Sequence, residues 1–227
     1  MIRVQGVDVD LVGRAVLREV DLTLAEARIG IVGGNGSGKS SLARLLNGLL
    51  LPTRGRVEVD GLDTRRDGAE VRRRVGFVFS DPDAQIVMPT VAEDIAFSLR
   101  RRRLGRDETD RRVAAVLTRF DLAGHGDHPA HLLSGGQKQL LALAAVLVTE
   151  PQVLVLDEPT TLLDLRNTRR IAELVRDLPQ QVVHVTHHLD QLRDYDRVLV
   201  VQDGRVVADD EPGPACAWYR RSAGEAG

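Results

Sequence analysis

Aromatic side chains are scarce in this chain: four Phe, two Tyr and one Trp among 227 residues, 3% of the whole. A planar ligand ring would therefore meet mainly aliphatic carbon or a guanidinium plane. A single cysteine, Cys216, excludes a disulfide within the chain. No apolar run approaches the roughly 20 residues that span a bilayer; the longest, from Leu140 to Val148, falls well short. Asp8, Asp10 and Arg14 interrupt the N-terminal segment too early for a signal peptide. These absences predict a soluble, cytoplasmic protein. Net charge is −2, which gives no global case for nucleic acid as a partner. Length and a hydrophobic content of 43% suit one large or two small globular domains.

What is present is more specific. Gly33-Gly34-Asn35-Gly36-Ser37-Gly38-Lys39-Ser40 fills every fixed position of the phosphate-cradling P-loop. It follows the short apolar strand Ile29-Gly30-Ile31-Val32 and precedes an amphipathic segment from Ser41 to Leu46, which is the strand–turn–helix context the loop requires. Glycines let backbone N–H groups turn inward as an anion nest. Lys39 would face β- and γ-phosphates, and Ser40 would offer its hydroxyl to Mg²⁺. Further on, Val153-Leu154-Val155-Leu156 reads as a doubly buried parallel strand ending in Asp157-Glu158. Adjacent acids at such a strand end are costly unless they serve a ligand. Asp157 suits Mg²⁺, and Glu158 suits the general base that polarises an attacking water.

Between these elements stands Leu133-Ser134-Gly135-Gly136-Gln137, opening the helix that runs through Leu140, Leu141, Leu143 and Leu147. P-loop, pentapeptide and strand-Asp-Glu, in that order, make the chain resemble the ATPases of ABC transporters over nearly its full length. The resemblance implies an α/β fold: a P-loop NTPase of ABC-ATPase type, with a RecA-like parallel sheet, a small N-terminal antiparallel β layer and a helical subdomain. It implies nucleotide contacts at Gly33, Asn35, Gly36, Ser37, Gly38, Lys39, Ser40 and Ser41. From a second ATPase subunit, identical or related, Ser134, Gly135, Gly136 and Gln137 would close on the same nucleotide. Thr160-Thr161-Leu162-Leu163-Asp164 resembles the D-loop that crosses the dimer interface, with Asp164 at the nucleotide. His187, after Val182-Val183-His184-Val185-Thr186, matches the switch histidine and joins Lys39 and Glu158 as catalytic. His188 stands where the wider family often has an acid. Cofactors are then ATP and Mg²⁺, the metal on Ser40 and Asp157.

Three departures stand out. The family glutamine after the strand Val75–Phe79 is Ser80 here, so Ser80 or Gln85, five residues on, would have to reach the metal or water. The N-terminal aromatic that stacks on adenine is missing from Asp8–Gly13, where only Val9, Leu11 and Val12 are apolar; Arg14 is the alternative platform. Leu140 replaces an arginine.

The phrases Asn35–Leu49, Pro82–Leu99 and Asp157–Asn167 are most similar to ATPase subunits of energy-coupling-factor (ECF) importers, with biotin as the first solute and a transition-metal ion as the second. That implies a transmembrane scaffold subunit, a substrate-binding membrane subunit and a place on the inner face of the cell membrane. A soluble ABC ATPase of DNA repair or translation, and an ATP-binding regulatory subunit with little turnover, are the alternatives.

One ATPase domain is expected, with 1–83 and 146–210 as nucleotide-binding core, 84–145 as helical signature subdomain and 211–227 as tail. Gly6 and Gly13 read as turns of the antiparallel layer. Arg72-Arg73-Arg74 and Arg100-Arg101-Arg102-Arg103 read as solvated basic segments. Cys216, Trp218 and Tyr219 read as packing or tail.

Overall fold

The computed structural model describes residues 1–161 and 163–224. Its first half runs β1 (Ile2–Leu11), β2 (Arg14–Leu24), β3 (Arg28–Val32), α1 (Lys39–Leu45), β4 (Arg54–Val59), β5 (Leu62–Asp63), α2 (Gly68–Arg74), β6 (Val75–Val78) and α3 (Val91–Leu99). Its second half runs α4 (Arg106–Arg119), α5 (Gly135–Leu147), β7 (Val153–Asp157), α6 (Leu165–Arg176), β8 (Gln181–Val185), β9 (Arg197–Gln202), β10 (Arg205–Asp210) and α7 (Pro212–Ser222). Leu162, inside the expected D-loop, lies outside the described residues. The chain divides into two compact units: Met1–Val75 with Gln152–Glu158 and Pro179–Gly227, and Gly76–Pro151 with Pro159–Leu178.

In the first unit, an antiparallel sheet orders β2-β1-β4-β5. Ile2, Val4, Val7 and Val9 of β1 are buried, with a one-residue slip in the alternation at Gly6. That slip corrects the expected turn: Gly6 sits inside β1 as a bulge, at φ 53°, its N–H donating to Asp21 at 2.7 Å. A second sheet orders β10-β9-β3-β8-β7. Its strands β9, β3, β8 and β7 are parallel, and β10 returns antiparallel to β9. Val/Leu/Ile runs buried on both faces explain why these segments became central parallel strands.

Register places the chemistry. Ile31 of β3 and Asp157 of β7 both pair with Val185 of β8, so these strands end level with one another. The residues that follow all emerge at one carboxyl edge, where open α/β sheets place their ligands. The C-terminal stretch expected as tail is instead the helix α7. Pro212 supplies a pre-set φ in its first turn, and Ala215 and Cys216 are buried with Val32, Val198 and Val200 while Trp218 and Tyr219 pack alongside.

The second unit is mainly helical. Thr90 opens α3 through a reciprocal capping box with Glu93. Helix α5 buries nine of its thirteen residues, the pattern of a helix enclosed on most sides rather than laid on a surface. Arg100–Arg102 form a 3-10 turn after α3, and Arg102 donates to the Thr149 carbonyl, so this basic run is partly tied down. Helix α6 is amphipathic, burying Ile171 and Val175.

Candidate functional site

The loop after β3 takes a path that only glycine allows. Gly33 has φ 154° and Gly38 φ 108°. A Cβ on Gly33 would lie 2.1 Å from the Val201 carbonyl oxygen, and one on Gly38 would lie 2.9 Å from the Val16 carbonyl oxygen. The Gly204 N–H donates to the Ser37 carbonyl at 2.9 Å and pins the loop to the β9–β10 turn. Ser37 is buried, and its Oγ has no partner among the described residues.

Lys39 is 6% exposed and donates to the carbonyls of Gly33 and Gly34 at 2.8 and 2.9 Å. Burial pushes its pKa down, against the opposing pull of Glu158 and Asp157. A buried ammonium satisfied only by its own loop's carbonyls is a cation still able to meet a harder anion. The next residue, Ser40, donates from Oγ to Asp157 Oδ1 at 2.8 Å. Burial pushes the Asp157 carboxyl up, partly countered by Ser40 and by Arg44, 3.8 Å away. Arg44 escaped the sequence reading, although Ser40 and Arg44 stand i,i+4 on one helix face and therefore reach one partner.

Glu158 leaves β7 in a left-handed backbone conformation, φ 54°, which costs a non-glycine residue about 1 kcal/mol. Its N–H donates to the Val185 carbonyl at 2.9 Å, and its Oε2 lies 2.6 Å from His187 Nδ1. With its proton on Nδ1 the imidazole donates to the carboxylate and leaves Nε2 facing outward from the pair. Lys39, Ser40, Asp157, Glu158 and His187 are thus gathered at the carboxyl edge of β3, β7 and β8.

Orphaned Ser37, the glycine-only cradle and carbonyl-bound Lys39 fit a phosphate chain. Among the described residues no group of three or more His, Cys, Asp or Glu is arranged to hold a metal. The Ser40–Asp157 pair offers two hard oxygens, which fits Mg²⁺, an ion that keeps several waters and takes further ligands from substrate phosphates. Beside the loop lies a cavity of about 350 Å³ lined by Arg14, Asn35, Gly36, Ser37, Gln202 and Tyr219. Leu11 and Val12 are exposed at the adjoining hairpin tip.

In the second unit Ser134 is the N-cap of α5. Its Oγ accepts from the Gln137 N–H at 3.3 Å while Gln137 Oε1 accepts from the Ser134 N–H at 3.0 Å. Gly135 faces open space, whereas a Cβ on Gly136 would lie 2.5 Å from the Asn167 side chain. Asp164, expected at the nucleotide, is the N-cap of α6 and accepts from the Asn167 N–H at 2.8 Å. The structure thus brings the signature turn and the start of α6 together, a contact without a sequence signal.

Gln85 is held by two backbone groups of the helical unit. Its Oε1 accepts from the Phe79 N–H at 3.1 Å and its Nε2 donates to the Ala142 carbonyl at 3.3 Å, so the carboxamide ties the loop to α5. Ser80 is exposed.

Comparison with known proteins agrees with this geometry. A family profile described as "ABC transporter" matches residues 17–161. A Deinococcus radiodurans protein provisionally named as an ABC transporter ATP-binding protein is 58% identical over 91% of this chain and 92% of its own length. The biotin transport ATP-binding protein BioM of Rhizobium etli is 44% identical over 98% of this chain and 99% of its own. Among solved structures, cbiO1 of Clostridium perfringens, part of the ABC transporter complex cbiONQ, superposes with TM-score 0.84 at 33% identity, over 95% of this chain and 90% of that one. An ATP-binding cassette solved as a dimer in a post-hydrolysis state with ADP and Pi superposes with TM-score 0.83 at 28% identity, over 93% and 99%. By sequence along most of its length, and by the fold that carries its P-loop and paired acids, this chain belongs to the ABC transporter family.

Proposed function

We propose that the chain hydrolyses ATP as half of a nucleotide-sandwich dimer and so powers an ECF-type membrane importer, of biotin first and of a transition-metal ion second. One observation carries the reading: Lys39, the Ser40–Asp157 pair and the Glu158–His187 pair converge at the level ends of β3, β7 and β8. Lys39 turns from its loop carbonyls to the β- and γ-phosphates. Ser40 and Asp157 hold Mg²⁺, which supplies charge neutralisation on the phosphates. Glu158 accepts the proton of the attacking water, and His187 holds that carboxylate in place while presenting Nε2 toward the γ-phosphate. Ser134–Gln137 of a second subunit close on the same nucleotide, with the N–H groups at the start of α5 facing the charge that develops.

A membrane partner is supported by the surface of the helical unit. Met88, Ala96, Phe97, Leu99, Arg100 and Leu104 line a groove of about 420 Å³. The Phe97 ring is 41% exposed with the Arg100 guanidinium 5.4 Å from its centroid, and Val87 nearby in sequence is 62% exposed. An apolar helix with an acidic flank fits such a groove. Biotin as solute is supported by the Rhizobium etli relative, and a metal ion by the cobalt import ATP-binding protein CbiO of Syntrophus aciditrophicus, 43% identical. Co-purification from the native membrane, followed by solute uptake and ATP turnover in vesicles, tests the reading. Turnover that rises with the membrane subunits and drives uptake of one solute supports it. Turnover indifferent to any membrane protein favours an ABC ATPase outside transport.

A further inference from the structure

The signature motif itself is connected through Gln137 to a turn outside it. The 3-10 turn Ala123–His125 is held tightly: Leu122 is fully buried, the His125 N–H donates to Leu122, the His128 N–H donates to the His125 carbonyl at 3.0 Å, and the Ala92 N–H donates to Gly126 at 2.9 Å. The His125 ring, edge-on to His128 at 4.9 Å, places Nε2 3.1 Å from Gln137 Nε2.

The orientation of the Gln137 carboxamide follows from its other end. A backbone N–H can only donate, so the end facing the Ser134 N–H is the oxygen, and the end facing His125 is the NH₂. His125 Nε2 is therefore the acceptor and the ring proton sits on Nδ1, which is buried without a partner among the described residues. A half-buried histidine with one unpaired nitrogen is a poor choice for packing alone.

We infer that His125 is a positioning residue for the signature motif: by accepting from Gln137 it locks the carboxamide that caps Ser134, and so fixes the N–H groups at the start of α5. Without that acceptor the carboxamide is anchored at its oxygen end alone, the Gln137 side chain is freer to leave the capping rotamer, and the reciprocal cap opens more often. The consequence for ATP-driven closure rests on the dimer reading above; the consequence for the cap does not.

Two variants test it. His125→Leu keeps bulk and removes the acceptor, whereas His125→Gln offers a carboxamide oxygen at similar reach. Amide hydrogen exchange on the nucleotide-free chain should show the Ser134 N–H exchanging roughly five- to tenfold faster in the leucine variant, the scale of one lost hydrogen bond, and near the parent rate in the glutamine variant. The leucine variant should melt at or above the parent temperature, because an apolar group replaces an imidazole with an unpaired nitrogen. Parent-like exchange at Ser134 in His125→Leu overturns the inference, as does a fall in melting temperature shared by both variants, which marks a packing role. In the slow-turnover Glu158→Gln background, the ATP concentration for half-dimerisation should rise roughly five- to tenfold with leucine and stay put with glutamine, the same lost bond read at a second site. An unshifted midpoint overturns the link to closure. A Glu158→Gln parent that never dimerises counts against the dimer reading, and the exchange measurement still decides the role of His125.

Discussion

Glu158 is constrained in both backbone and side chain, by a left-handed φ and by the 2.6 Å contact with His187. Such strain persists where neighbours hold a group in place for use. Replacing it with glutamine keeps shape and removes the base. Steady-state hydrolysis should fall by about 10²-fold or more while ATP still binds. Hydrolysis near the parent rate would remove Glu158 from the chemistry. Lys39→Ala acts one step earlier. The ammonium donates to the Gly33 and Gly34 carbonyls, so its loss removes one donor from each, although Gly34 still accepts from the Ser37 N–H at 3.2 Å, and leaves the phosphates without their cation. Turnover should drop by about 10²-fold or more, the scale for one preorganised electrostatic contact, and nucleotide affinity should fall with it. Calorimetric titration with an unhydrolysed ATP analogue reads affinity directly; equal affinity in parent and variant would break the P-loop assignment.

Among the elements, the signature turn offers the sharpest test. Gly136→Asp is a confounded probe, since even a Cβ there meets Asn167, but Gly135 points into open space. Gly135→Asp puts a carboxylate in the first turn of α5, where the helix dipole welcomes it, so the melting temperature should hold or rise. The same carboxylate repels a partner's γ-phosphate, so ATP-driven dimerisation should be lost while nucleotide binding to the single chain is kept. Light scattering beside a thermal melt checks both halves; a variant that still doubles its mass with ATP contradicts the role of the turn.

Strand β8 gives a pH signature. His184 is fully enclosed, its Nδ1 2.9 Å from the Tyr195 hydroxyl, and burial drives its pKa down to about 4. The unfolded chain, with an ordinary value near 6.5, binds that proton first on acidification. The contribution is therefore complete above about pH 6.5 and is lost as pH falls toward 4, by roughly 3 kcal/mol in total. His184→Phe with Tyr195→Phe removes the titration without orphaning the hydroxyl. Melting temperature followed from pH 7 to 4.5 should fall less steeply in the double variant than in the parent; parallel curves would show that His184 is not buried neutral.

Legibility in the sequence followed the reach of the interaction. Doubly apolar runs such as Val153–Leu156 announced parallel strands, and loops whose chemistry lies within eight consecutive residues, from Gly33 to Ser40, announced themselves in full. Gly6 misled because a bulge and a turn use the same positive φ, and only cross-strand pairing tells them apart. Helix α7 was hidden by two prolines that mark loops as often as first helical turns. The tie of Gln85 to α5 and the abutment of Gly136 and Asn167 are contacts between distant segments, for which composition and period carry no signal; Arg44 lies one full helical turn beyond Ser40, and only its shared partner Asp157 is remote in sequence.

For the whole molecule the account requires two kinds of partner. On the helical unit, Val87→Asp with Phe97→Asp should abolish co-purification with the membrane scaffold while ATP binding persists. Both side chains are already well exposed, so the melting temperature should move by only about 2 °C. A melt that collapses would instead place both in the chain's own core. The partner that matters most is the second ATPase subunit, because the proposed nucleotide sandwich sets the residues gathered at β3, β7 and β8 of one chain against the signature turn of another. The direct measurement is the light-scattering mass of Glu158→Gln, 24.9 kDa as a single chain, with ATP, with ADP and without nucleotide. The account predicts twice that mass with ATP alone, falling back when Lys39→Ala is added. A mass that stays at one chain under saturating ATP, with the homologous or native partner subunit present, would contradict it.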